Sequence, residues 1–130
     1  MNKQIISAAA FFGMTGVILG AFGAHWLKKH LGVDDLSTFE TGVRYQTYHA
    51  FLLLFIGLMP SLKEKVQRAL LILITVGILL FSGSIYLLAT NSMTNFDFKT
   101  IGFITPIGGL LLISAWFWIL VNFIGKKNIK

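Results

Sequence analysis

Cysteine is absent from the sequence. That removes a disulfide frame, a thiol nucleophile, a zinc knuckle and a cysteine-held iron–sulfur cluster. Charge is also scarce: Asp, Glu, Lys and Arg make up 12% of 130 residues, against about 25% in soluble domains. There is no phosphate-cradling glycine loop, no strand–turn–helix elbow for a nucleophilic serine and no repeat of solenoid type. Proline occurs twice, at Pro60 and Pro106. What remains is apolar. Hydrophobic residues are 55% of the chain, and the mean hydropathy is +0.77. The formal charge of +6 does not indicate nucleic acid, because the cations sit in short clusters flanking apolar runs rather than along one face.

The flanked runs predict four membrane-crossing helices. Gln4 to Ala24 carries no charge, and about 20 apolar residues span a bilayer. A cleaved signal peptide is the competing reading, but Ala8-Ala9-Ala10 falls too early for a cleavage site after a hydrophobic region. Helix one is expected to continue to Leu31, with Gly32 as a left-handed stop. Ser37 and Glu40 form a capping box that starts helix two, and Pro60 ends it at Met59. Ser61 and Glu64 form another, opening helix three. Thr90 to Thr105 is polar and irregular, read as a loop lying partly in the interface. Thr105 then caps helix four, with Pro106 at its first position and Gly125 after its end. The expected helices cover about 4–31, 37–59, 61–90 and 106–124 of a single transmembrane domain spanning 1–130.

The fold class is therefore an all-α integral membrane four-helix bundle with antiparallel neighbours. Lys and Arg number seven at the termini and second loop, against four in the first and third loops. Both termini are accordingly expected to be cytoplasmic, in a multi-pass protein of the plasma membrane. Trp26 and Tyr45 are then expected at the outer interface, and Trp116 and Trp118 in the inner half. Gly13, Gly16, Gly20 and Gly23 share one helix face, which reads as close packing against helix two or four. Gly108-Gly109 reads the same way, and Ser82 and Ser84 are expected to bond their own helix at the i−4 carbonyl.

The stretch Thr41 to Ala50 is where chemistry enters the hydrocarbon. Arg44, Tyr45, Tyr48 and His49 open helix two, and His25 closes helix one. Glu40, Arg44 and Tyr48 lie on one helical line, with Tyr45 and His49 on the next. His49 lies about 7 Å deeper than Arg44. Two readings follow. In one, these five residues bind an anionic lipid headgroup, a proton or a partner helix. In the other, Glu40 pairs with Arg44, and the tyrosines and His49 bond neighbouring helices. Haem ligation by His25 and His49 needs matched depths that the spacing does not give, and zinc lacks a third ligand. No cofactor or metal is expected, and no catalytic set is found, so the chain reads as non-enzymatic.

The blocks Phe22–Leu27, Thr41–Ala50, Phe81–Tyr86 and Thr105–Gly109 resemble the YwdK/YgdD-type family of small bacterial membrane proteins, which has vertebrate relatives among small transmembrane proteins. The resemblance covers nearly the whole chain, in the same order. It implies a four-helix protein of the plasma membrane and brings no activity or substrate. Its blocks fall on Gly23, Ala24, His25, Tyr45, Gln46, Tyr48 and His49. The function expected is a binding or assembly factor whose partners are membrane lipids, a second copy or another membrane protein. The alternative is an oligomeric conduit for a proton or small solute.

Overall fold

Four helices carry the chain in a computed structural model that describes residues 1–125: α1 Lys3–His25, α2 Val33–Leu58, α3 Glu64–Ala89 and α4 Ile104–Ile124. The expected Lys126, Lys127 and Lys130 cluster lies outside the described residues. Among the described residues there is no strand. Three stretches are long and apolar enough to cross a membrane: Lys3–Lys29, Glu64–Ala89 and Phe98–Ile124. The fourth helix, α2, is long enough at 26 residues, but Arg44, Tyr45, Gln46, Tyr48 and His49 lower its hydropathy. Gln46 and His49 are buried among neighbouring helices, whereas Arg44, Tyr45 and Tyr48 stay exposed.

Cross-helix contacts fix the directions. Asn2 N–H donates to Gly57 O at 2.8 Å, so the start of α1 lies beside the end of α2. Gln67, in the first turn of α3, donates from Nε2 to Ile56 O at 2.8 Å and Met59 O at 3.1 Å. A helix end leaves carbonyls without intrahelical partners, and this amide satisfies two of them. Ser82 Oγ donates to Gly42 O at 2.8 Å, joining the far ends of α2 and α3. Ser84 shares a short hydrogen bond with Thr105, joining α3 to α4. Consecutive helices are thus antiparallel.

The densest seams run between α1 and α2 and between α3 and α4, followed by α2 with α3. The outer helices α1 and α4 form no seam with each other, so the bundle is an open row. One apolar core, including Ile5, Phe12, Leu53, Ile74 and Leu112, draws on all four helices. A smaller one, Leu27, Leu31, Phe39 and Ala89, closes the end where α2 begins.

Several expected boundaries shift. Helix one ends at His25, and a 3₁₀ turn, Leu27–Lys29, carries the chain onward. Gly32 is not a left-handed stop: it is extended, at φ −68° and ψ 168°, and serves as the N-cap of α2. That start at Val33 leaves Ser37 inside the helix, where it accepts from Thr41 through its carbonyl and caps nothing. Asp34 and Asp35 occupy the first turn and favour the earlier start through the helix dipole. Likewise α3 starts at Glu64 behind an extended Lys63 with no side-chain cap, so the Ser61 box is not formed. Helix four starts at Ile104, because the Thr105 hydroxyl is taken by Ser84 rather than by a cap. The stretch after α3 is more ordered than a loop. It holds 3₁₀ turns at Asn91–Met93 and Phe98–Ile101, tied by Phe98 N–H to Asn91 Oδ1 at 2.7 Å.

Candidate functional site

The inward face of α2 carries Phe39, Gly42, Gln46, His49, Leu53 and Ile56, all buried. Their spacing of three and four residues keeps them on one stripe. Two of the six are polar and lie deep in the apolar run. A buried polar group without a partner costs several kcal/mol in hydrocarbon, so the partners explain how these are tolerated.

Gln46 is 4% exposed and joins three helices. Its Nε2 donates to Phe12 O at 2.9 Å and to Thr15 Oγ1 at 2.8 Å on α1. Its Oε1 accepts from the Tyr86 hydroxyl on α3 at 2.6 Å. Both amide hydrogens and the carbonyl are thereby used. The approach of α3 that allows this depends on Gly42, where a Cβ would stand 2.6 Å from the Tyr86 ring.

His49, also 4% exposed, is held from both sides. Its Nδ1 lies 2.7 Å from Tyr45 O, and its Nε2 lies 3.0 Å from the indole Nε1 of Trp116 on α4. The indole only donates and the carbonyl only accepts. These partners assign the neutral ring with its proton on Nδ1. With both nitrogens occupied, His49 has no free lone pair for haem or zinc. Among the described residues, no group of three or more His, Cys, Asp or Glu is placed to hold a metal.

Beside His49 a groove of about 400 Å³ opens sideways between α2, α3 and α4. It is lined by Thr41, Tyr45 and His49 from α2, Phe81 from α3, and Gly109 and Trp116 from α4. Its walls are apolar and its polar atoms lie along the α2 side. Arg44 stands at the rim: its Nη2 donates to Thr41 Oγ1 at 3.1 Å rather than pairing with Glu40.

The five residues singled out by sequence therefore separate. Tyr45 and His49 line the groove, and Arg44 reaches it through Thr41. Tyr48 is 51% exposed, on the outward line of α2 with Phe51 and Phe55. His25 is exposed at the end of α1 and does not line the groove. Of the glycine stripe, Gly16, Gly20 and Gly23 face Thr47, Val43 and Phe39 of α2, whereas nothing lies within 4 Å of a Cβ at Gly13. Gly13 instead lines a second apolar groove. Trp116, expected as an interface anchor, directs its indole N–H inward to His49. Nor do the serines serve only their own helix, for Ser82 bonds α2 and Ser84 bonds α4. Gln46, Thr15, Tyr86, Gln67 and Trp116 were not singled out as site residues. The signal for Gln46 was its place in the apolar stripe, three residues before His49.

The arrangement defines a class: a multi-pass helical membrane protein of the plasma membrane with a buried polar junction and a lateral groove. The chain belongs to the family described as protein of unknown function DUF423, whose model matches residues 19–109. It is 36% identical over 120 residues to a UPF0382 membrane protein of Staphylococcus haemolyticus, covering 92% of this chain and 94% of that one. It is 34% identical over 130 residues to the UPF0382 inner membrane protein YgdD of Escherichia coli K12, covering 98% and 94%. A UPF0382 membrane protein of Haemophilus influenzae is 37% identical over 116 residues, covering 89% and 90%. No solved structure matches the chain. The family resemblance read from the four sequence blocks is thus correct. None of these names denotes an enzyme.

Proposed function

We propose that the protein is a non-enzymatic lipid-binding membrane protein, taking an acyl chain into the groove beside His49 and an anionic headgroup at its rim. The observation that carries this reading is the groove itself, about 400 Å³, apolar in its walls and open to the hydrocarbon. Arg44, hydrogen-bonded to Thr41 at the rim, supplies the charge for a phosphate. Tyr45 and Trp116 present ring faces along which a methylene chain packs. On the orientation that the charge distribution predicts, this rim lies in the outer leaflet.

The test is native mass spectrometry of the full chain released from mild detergent. Retained anionic phospholipid is expected, and Arg44→Gln is expected to lose the preference for it over zwitterionic lipid. Gly109→Leu fills the groove and is expected to lose the lipid altogether, since a Cβ there meets only ring atoms of Phe81 at 3.4 Å. Absence of lipid from the unmutated protein, or equal retention in Gly109→Leu, rejects the reading.

A proton or solute conduit is the weaker reading. The hydrogen bonds of His49 hold one tautomer in place, and a relay needs a ring free to exchange protons. Equal proton flux in proteoliposomes and empty liposomes would dispose of it.

A further inference from the structure

The groove beside His49 has two walls that end together. On α2 its lining runs from Thr41 through Tyr45 to His49, and on α4 from Gly109 through Ile113 to Trp116. Each of these helices is antiparallel to α3, so the two walls run the same way. Thr41 to His49 rises about 12 Å at about 1.5 Å per residue, and Gly109 to Trp116 about 10 Å. Phe81 of α3 forms the back of the groove, with its ring centroid 5.3 Å from that of Tyr45.

The two innermost lining residues are bonded to each other. Trp116 Nε1 donates to His49 Nε2 at 3.0 Å, and the ring centroids stand 6.0 Å apart with the planes at 73°. Among the described residues no other hydrogen bond joins α2 to α4, and these helices share no packing seam. The indole and imidazole therefore form a bar across a space that is otherwise open between the walls. At the Thr41 end, Gly109 presents no side chain and Arg44 stands at the rim. The groove is thus barred at its inner end.

An extended hydrocarbon chain advances about 1.25 Å per carbon–carbon bond of about 1.5 Å, so about 12 Å holds about ten carbons. One leaflet of hydrocarbon is about 15 Å deep. We propose that the Trp116–His49 bridge is an end-stop, by which the groove selects an anionic lipid with an acyl chain of about ten carbons over the longer chains that fill a leaflet. Lipid tails are as apolar as the walls, so burial alone does not discriminate and fit does. A shorter chain leaves wall atoms without contacts, and a longer one must bend out sideways past the indole. The length limit rests on the lipid-binding reading of the groove and adds the residue that sets it.

The experiment places the purified full chain in nanodiscs holding equal amounts of phosphatidylglycerols from octanoyl to stearoyl. Native mass spectrometry then compares the retained lipid with the composition of the disc. The decanoyl lipid is expected to be enriched about threefold or more over the stearoyl lipid, as one or two strained torsions would make it. Trp116→Ala removes the bar and is expected to move the preference to longer chains. Ile113→Trp sets a ring about 4.5 Å nearer the rim and is expected to move it to the octanoyl lipid. Ile113 is 64% exposed, so this second variant retains the fold, and a thermal melt checks both. Gly13→Ala, in the other apolar groove, is expected to keep the decanoyl preference. Retained lipid with the same chain composition as the disc overturns the end-stop and leaves lipid binding standing. An unchanged preference in Ile113→Trp, or an equal shift in Gly13→Ala, does the same. Absence of any retained lipid overturns both.

Discussion

The Trp116 indole donates to His49 Nε2 across 3.0 Å, and this bond joins two helices, α2 and α4, that have no packing seam of their own. Trp116→Phe keeps an aromatic ring but deletes the donor, along with part of the indole's packing area. The hydrogen bond's share of the loss is expected at about 0.6 kcal/mol and at most about 1.7, the average and the maximum for hydrogen bonds between membrane helices. Thermal unfolding in detergent, with Trp116→Phe and His49→Ala combined in a double-mutant cycle, isolates the pair term. Additive single effects would show that the bond contributes nothing.

Gln46 is expected to be the more costly residue to change. Gln46→Leu leaves the Tyr86 hydroxyl and the Thr15 side chain without their partner, at about 1 to 3 kcal/mol. Tyr86→Phe removes one bond and should fall below that. If Gln46→Leu melts at the temperature of the unmutated chain, the junction does not hold the helices together.

Two glycines give opposite expectations. A Cβ at Gly108 would stand 2.3 Å from Phe81 N, in the backbone of α3, so Gly108→Ala must push α4 away. Overpacking of this kind costs about 1 to 3 kcal/mol or more. Nothing lies within 4 Å of a Cβ at Gly13, so Gly13→Ala should change stability by less than about 0.5 kcal/mol. Resistance to SDS unfolding compares the two on one gel.

Orientation is measurable because the chain has no cysteine of its own. Single cysteines at Ser61 and Asn95 lie in connections at opposite ends of the bundle. The charge distribution predicts that an impermeant maleimide labels Asn95→Cys in intact cells and Ser61→Cys only after permeabilisation. The reverse pattern would invert the protein and move the Arg44 rim to the cytoplasmic leaflet.

Hydropathy made α1, α3 and α4 legible, because a run of about 20 apolar residues has few other uses, and Pro60 marked the end of α2. Their starts were less legible. Ser37 and Ser61 satisfy a capping pattern, yet Gly32 and Lys63 cap instead, since the pattern records what a hydroxyl can reach and not which backbone turn comes first. Within the candidate site, spacing correctly put Tyr45 and His49 on one line. It could not say that Tyr48 faces outward while Arg44, on the same line, turns to Thr41 at the groove, because α2 has apolar residues on every side. The partners of Gln46 and His49 come from Phe12, Thr15, Tyr86 and Trp116 on other helices. No local periodicity connects residues so far apart in the chain.

The open row has a bearing on biogenesis. Each half of the chain is a hairpin with its own close seam: Gly16, Gly20 and Gly23 against α2, and Gly77 and Gly108 between α3 and α4. The halves are then riveted by Ser82 to Gly42 and Tyr86 to Gln46. Insertion can proceed one hairpin at a time, the second docking onto a first that already holds its shape. Two polypeptides made separately, broken within the turn at Ser61, are expected to find each other in the bilayer and rebuild the whole.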